Sequence, residues 1–284
     1  MTTVIDVWAQ HPTKRFLSEP FLDTLKRWTR QDFEELPLEW TLLAMESANV
    51  SKALISAWYG PSGALISNEE VLAITSTHPD KFSGLASVDL RNPIEAVQEL
   101  RKYVCEHDFK GLRIVQWLWE LPCTHPLYYP LYAACVELDV PVCLQVGLTG
   151  PLRSSESGRP IHIERVALDF PDLKIVCGHI GYPWHNEMIA FATKFPNVYI
   201  DTSAYKPKRY PKELVSFMKA HGKNKVMFGT NYPMLTPEAC MKEMHLLELD
   251  EEVSEFFCIR MLREFLSFSL SALMTSAFQD FTWR

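Results

Sequence analysis

Residues 173–184 read LKIVCGHIGYPW, and this stretch decides the fold. A strand-sized apolar run, Leu173–Cys177, ends in the turn Gly178-His179-Ile180-Gly181, and a helix-like pattern over His185–Phe195 follows. Strand, polar turn and helix in that order make the repeating piece of a parallel sheet. The same order recurs outward in both directions. The runs are Val4–Val7, Lys52–Ala57, Phe82–Val88, Gly111–Val115, Val140–Val146, Val198–Ile200 and Lys225–Phe228, one of them once a loop is allowed for. With Leu173–Cys177 that makes eight units in about 250 residues, the count and size of a (β/α)8 barrel. The sequence therefore predicts an α/β fold, a single TIM barrel. Barrel chemistry sits at the C-terminal ends of the strands. There the chain offers Trp8, Gln10, Arg113, Gln116, Gln145, His179, Asp201 and Asn231.

Bulk properties bound the partners. The chain has 284 residues, 47% hydrophobic and 22% charged, with a net charge of −7. This is ordinary globular composition, and it gives no basic block for nucleic acid or an anionic membrane. The densest basic stretch, Lys206, Lys208, Arg209 and Lys212, reads as decoration of a loop and helix start. Seven cysteines stand scattered without a CxxC pair, which suggests reduced thiols in a cytoplasmic protein. The N-terminus lacks a signal-peptide pattern, and no apolar run reaches a membrane-spanning length.

Helices are expected over Pro20–Trp28, Pro37–Asn49, Ser67–His78, Ile94–Glu106, Pro130–Leu138, Ile163–Phe170, His185–Phe195, Pro211–His221 and Pro237–Leu249. The Gly- and Ser-rich loop Gly147–Pro160 is a candidate active-site loop. The barrel is expected to occupy residues 1–268, with 269–284 a C-terminal extension.

Each strand-end residue has a bland and a chemical reading. His179 could bond a backbone carbonyl, or act as general acid/base. Asp201 could form an Asx turn with Thr202 and Ser203, or orient His179, or serve as the base that Asn231 cannot be. Arg113 alternates with Leu112 and Ile114, so it points into the barrel. It needs Asp6, Asp89 or a substrate carboxylate as partner. Arg153 and Arg159 are further carboxylate-binding candidates. Trp58, Trp117, Trp119, Trp184, Tyr182 and Tyr205 lie beyond strand ends and could form a slot for a flat ring.

The ordered stretches IDVWAQ (5–10), KGLRIV (110–115), PVCLQVG (141–147), LKIVCGHIGYPWHNEM (173–188), NVYIDTS (197–203) and KVMFGTNYP (225–233) resemble the amidohydrolase-related family. That family includes aminocarboxymuconate-semialdehyde and resorcylate-type decarboxylases and pyrone-dicarboxylate lactonase. The resemblance covers roughly residues 3–265. It implies a divalent metal held by a His-x-His pair on the first strand, a His on the fifth, a His on the sixth and an Asp on the eighth. Here those positions are Trp8, Gln10, Gln145, His179 and Asn231. Tryptophan only donates, and neutral amides are weak ligands.

The departures lead to the expectation of a metal-independent hydrolase without cofactor, acting on a small aromatic or lactone-type carboxylate. His179, Asp201 and Asn231 would carry catalysis. Trp8, Gln10, Arg113, Gln116, Gln145, Arg153, Tyr182, Trp184 and Tyr205 would bind substrate. A carboxy-lyase of the same family and a catalytically inactive binding protein are the alternatives. The partner is a small molecule, not nucleic acid or membrane; the resemblance leaves a homodimer open.

Overall fold

A computed structural model of the protein describes residues 4–30 and 33–260. Eight parallel strands form the barrel: β1 (Val4–Ala9), β2 (Val50–Ser56), β3 (Phe82–Leu85), β4 (Leu112–Ile114), β5 (Val142–Gln145), β6 (Ile175–Gly178), β7 (Val198–Asp201) and β8 (Val226–Met227). Each falls on one of the runs read from the sequence. Strands β1, β2 and β3 pair in that order, and β8 through β4 pair in the other arc. The ring closes where Ala86, just past β3, bridges Leu112 of β4, and Ala9 of β1 bridges Tyr232 beyond β8. Strands β3, β5 and β6 are buried along their whole length, as parallel strands walled by helices must be.

The helices follow from their caps. Ser67 Oγ accepts from Glu70 N at 3.1 Å and Glu70 Oε2 accepts from Ser67 N at 2.8 Å. This capping box starts the helix Asn68–Thr77. Pro93 opens Pro93–His107, where its missing N–H costs nothing. One element departs from expectation: Trp58–Gly60 and Gly63–Ile66 pair as an antiparallel hairpin. Its tight turn needs a φ of 108° at Gly63, open to glycine.

Two excursions roof the C-terminal mouth. The segment after β1 holds the short helices Lys14–Leu17, Pro20–Leu22 and Asp23–Thr29. The loop 147–160 packs onto it: Leu152 N donates to Phe21 O at 3.2 Å. A Cβ on Gly150 would come within 2.5 Å of Leu25, so that contact requires a glycine. The expected boundary at residue 268 and the extension 269–284 lie outside the described residues. Among the described residues no helix is long and apolar enough to cross a membrane.

Candidate functional site

A cavity of about 850 Å³ opens at the C-terminal mouth of the barrel. Gln10, Gln145, His179 and Asn231 make its polar inner end. Phe16, Trp58, Trp117, Phe33, Leu148 and Met234 supply apolar wall, and Lys26, Lys206, Lys208 and Arg209 bring positive charge. Among the described residues no Asp or Glu lines it. Three lining residues that are not glycine, His179, Ala204 and Asn231, have φ of 68°, 67° and 63°. Side-chain-bearing residues visit this left-handed region rarely, and such strain clusters at functional sites.

A buried chain of hydrogen bonds runs behind His179. Its Nδ1 lies 2.7 Å from Ser203 Oγ. The Ser203 hydroxyl in turn donates to Asp201 Oδ1, which also accepts from Ser203 N at 3.0 Å. Asp201 therefore forms the Asx turn and, through Ser203, orients the imidazole. With Asp201 ionised, the one Ser203 proton goes to the carboxylate, so Nδ1–H must donate to Ser203 and Nε2 stays bare. Burial pushes Asp201 up to about 7, against its Ser203 bonds. Burial, with the Arg113 charge, drives His179 down to about 3, so its ring is neutral.

Arg113 and Trp8 lie beneath this cavity and do not line it. The guanidinium carbon sits 3.3 Å from the centre of the Trp8 ring, and each residue is 1% exposed. The guanidinium nitrogens find no oxygen acceptor; the Cys143 thiol lies beside them. Desolvation lowers Arg113 to about 10, while Asp201 and Asp6 oppose the fall through space. Neither expected ion pair forms. Asp89 pairs with Arg91 at 2.6 Å near the surface. Asp6 accepts from Trp8 N at 3.1 Å, from Thr230 N at 3.0 Å and from the Thr230 hydroxyl, and burial lifts it to about 6.

The other expected residues divide in the same way. Tyr182 and Tyr205 line the cavity with rings 5.4 Å apart. Gln116 instead uses Oε1 to accept from Gln145 N at 3.0 Å, fixing the end of β5. Arg153 faces Glu120 at 3.5 Å on the surface. Trp184 lies under Arg159 at 4.7 Å, off the cavity. Sequence reading missed Ser203 as the link between Asp201 and His179. It also took Lys206, Lys208 and Arg209 for loop decoration; their position directly after the β7 site residues was the available signal.

A family profile described as Amidohydrolase matches residues 63–258. Gamma-resorcylate decarboxylase of Rhodococcus jostii is 24% identical over 217 residues, 58% of this chain and 64% of that enzyme. This chain thus spans under two thirds of that relative's length. An uncharacterised TIM-barrel protein from Bordetella bronchiseptica superposes with a TM-score of 0.80 at 23% identity, over 94% of this chain and 99% of that one. A dihydroxybenzoic acid decarboxylase from Polaromonas, solved with manganese and the inhibitor 2-nitroresorcinol, superposes with a TM-score of 0.74 at 16% identity, over 94% and 97%. The TIM barrel is therefore shown. The expectation of a metal-independent hydrolase is overturned, because these relatives with a named activity are decarboxylases. That expectation gave the altered ligand positions more weight than the family's chemistry.

The residues present do not fit a manganese centre. Manganese wants carboxylate, imidazole and water ligands. Among the described residues no three His, Cys, Asp or Glu side chains gather to hold a metal. Of the candidate amide oxygens, Asn231 Oδ1 already accepts from Gln10 Nε2 at 3.2 Å, and Gln10 and Gln145 offer only neutral, weakly ligating amides. The Trp8 ring packs so closely over Gly178 that a Cβ there would approach within 2.5 Å.

Proposed function

The chain belongs to the amidohydrolase family, and from that premise we propose that it is a carboxy-lyase removing CO2 from a small hydroxylated aromatic acid. One observation carries the reading. The cavity at the catalytic end of the barrel has aromatic walls, four cationic side chains and a histidine at its inner end, and no acid lines it among the described residues. Such a site favours a flat anion. The likeness to decarboxylases supports the choice of reaction over hydrolysis.

The reaction needs one proton. It enters the ring carbon that bears the carboxylate; the bond to that carboxylate breaks, CO2 leaves, and the electron pair returns to the ring. His179 Nε2 is the atom to deliver it. With Asp201 raised to about 7, a protonated carboxyl is available near neutrality. In that state the bonds run from Asp201 to Ser203 to Nδ1, and Nε2 carries hydrogen. As Nε2 gives up its proton, Nδ1 takes one from Ser203 and Ser203 takes one from Asp201. Gln10 Oε1 is buried without a partner, so it can accept from a ring hydroxyl. Asn231 Nδ2, engaged among the described residues by the Met234 sulfur at 3.4 Å, can donate to the carboxylate.

The test is incubation with 2,6-dihydroxybenzoate and related hydroxybenzoates, with and without added manganese, following CO2 and loss of the acid. The expected result is one CO2 per acid consumed. Saturable binding with no turnover under any condition would replace this reading with that of a binding protein.

A further inference from the structure

The cavity is larger than a single-ring acid requires. Its volume of about 850 Å³ stands near the upper end of the roughly 300–1,000 Å³ that encloses drug-sized ligands. Its composition is also graded: neutral amides and His179 lie at the inner end, apolar wall follows, and cations accompany the mouth. Trp28 is 62% and Leu148 44% exposed although both line the cavity, so among the described residues apolar surface at the mouth is left open. Lys206 and Lys26 are half-buried and Arg209 is exposed. None of these three forms an ion pair among the described residues, whereas Lys208 is held by Glu243 at 3.0 Å. Cations without an ion-pair partner among the described residues, at an opening where Glu243 is engaged by Lys208 and no described acid lines the cavity, are placed to meet an anion in a chain of net charge −7.

We propose that the substrate is a dianion: an aromatic acid whose ring carries an apolar arm ending in a second anionic group, held by Lys206 and Arg209 at the mouth. The carboxylate that reacts occupies the inner end by His179, the arm lies along Leu148 and Trp28, and the distal anion meets the cations. This rests on the carboxy-lyase reading for the identity of the inner carboxylate alone.

The experiment titrates salicylate, 4-pentylsalicylate and 4-(4-carboxybutyl)salicylate into the full chain by tryptophan fluorescence, with CO2 measured in parallel. Each methylene that becomes buried should tighten binding roughly fourfold. The carboxybutyl acid should bind tighter than the pentyl acid, and its advantage should fall about tenfold in Lys206→Gln/Arg209→Gln and at high salt. Salt dependence on the wild-type chain and the single variant Lys206→Gln keep the test open should the double variant misfold. Equal affinity for all three acids, or no charge advantage for the carboxybutyl acid, overturns the proposal. CO2 release from all three with no preference for an arm also overturns it and leaves the carboxy-lyase intact. The expected binding order with no CO2 from any probe removes the carboxy-lyase and leaves the dianion site standing.

Discussion

His179 is the residue on which the proposed chemistry turns. His179→Ala should lower kcat by roughly 10²–10⁴ with the fold intact. His179→Gln keeps hydrogen bonding without titration and should be as inactive; near-normal turnover in either would make the histidine structural. Asp201 and Ser203 act through it. The sequence made Asp201 legible as an Asx-turn former or as the orienter of His179, and it is both, because Ser203 bonds each of them. That link could not be read, since a serine two residues past a strand end carries no distinguishing pattern. Asp201 also makes stability depend on pH. Its folded value of about 7 lies above the ordinary 3.8, so the native chain keeps a proton that the unfolded chain releases. Its contribution is full below about pH 4 and is lost as pH rises through about 7. Asp6, raised to about 6, acts in the same direction. His179, lowered from 6.5 to about 3, does the reverse, contributing above its ordinary value and losing that as pH falls. Asp201→Asn removes the first effect, so its melting temperature should decline less than wild type between about pH 4 and 7. An unchanged slope would refute the shift. Arg113→Met is expected to leave ligand affinity alone, because Arg113 does not line the cavity. Its stability cost should fall short of the roughly 3–5 kcal/mol of a broken buried pair, since Asp6 retains Trp8 N and both Thr230 donors. One melt and one titration on that variant measure both.

At the scale of elements, strands were readable and their decoration was not. All eight β-runs emerge from apolar spacing because both faces of a parallel strand are buried. The hairpin Trp58–Ile66 escaped because its two arms are three and four residues long, too short to show alternation. The close contact of β6 with β1 was equally invisible, since it depends on which side chain crosses the barrel. Gly178 on β6 lies against the Trp8 ring, leaving no space for a methyl group. Gly178→Ala should destabilise by roughly 1–3 kcal/mol through overpacking. Combining it with Trp8→Leu should return part of that loss, a coupling readable in a double-mutant cycle. Strict additivity of the two melts would show that the ring does not press on β6.

For the whole molecule, the barrel and the family were legible in the sequence, while charge distribution needed the fold. Composition reports an acidic chain, yet the β7 loop and the first excursion carry Lys206, Lys208, Arg209 and Lys26 to one opening. An anionic ligand should therefore associate faster at low ionic strength than at high, despite the net charge of −7. Stopped-flow quenching of the cavity tryptophans would measure this, and a salt-independent rate would argue against steering.

The Trp8 ring resting on Gly178 has a consequence for redesign. A metal centre cannot be installed at these positions by a single substitution. Trp8→His alone vacates a buried indole, a loss of the order of 3–5 kcal/mol when such a ring is truncated. It would add one imidazole beside Gln10, Gln145 and Asn231, which remain neutral amides. Metal uptake would repay that loss only after several of these positions had changed together, so a designed metal centre here calls for concerted replacement with the space of the indole refilled in the same step.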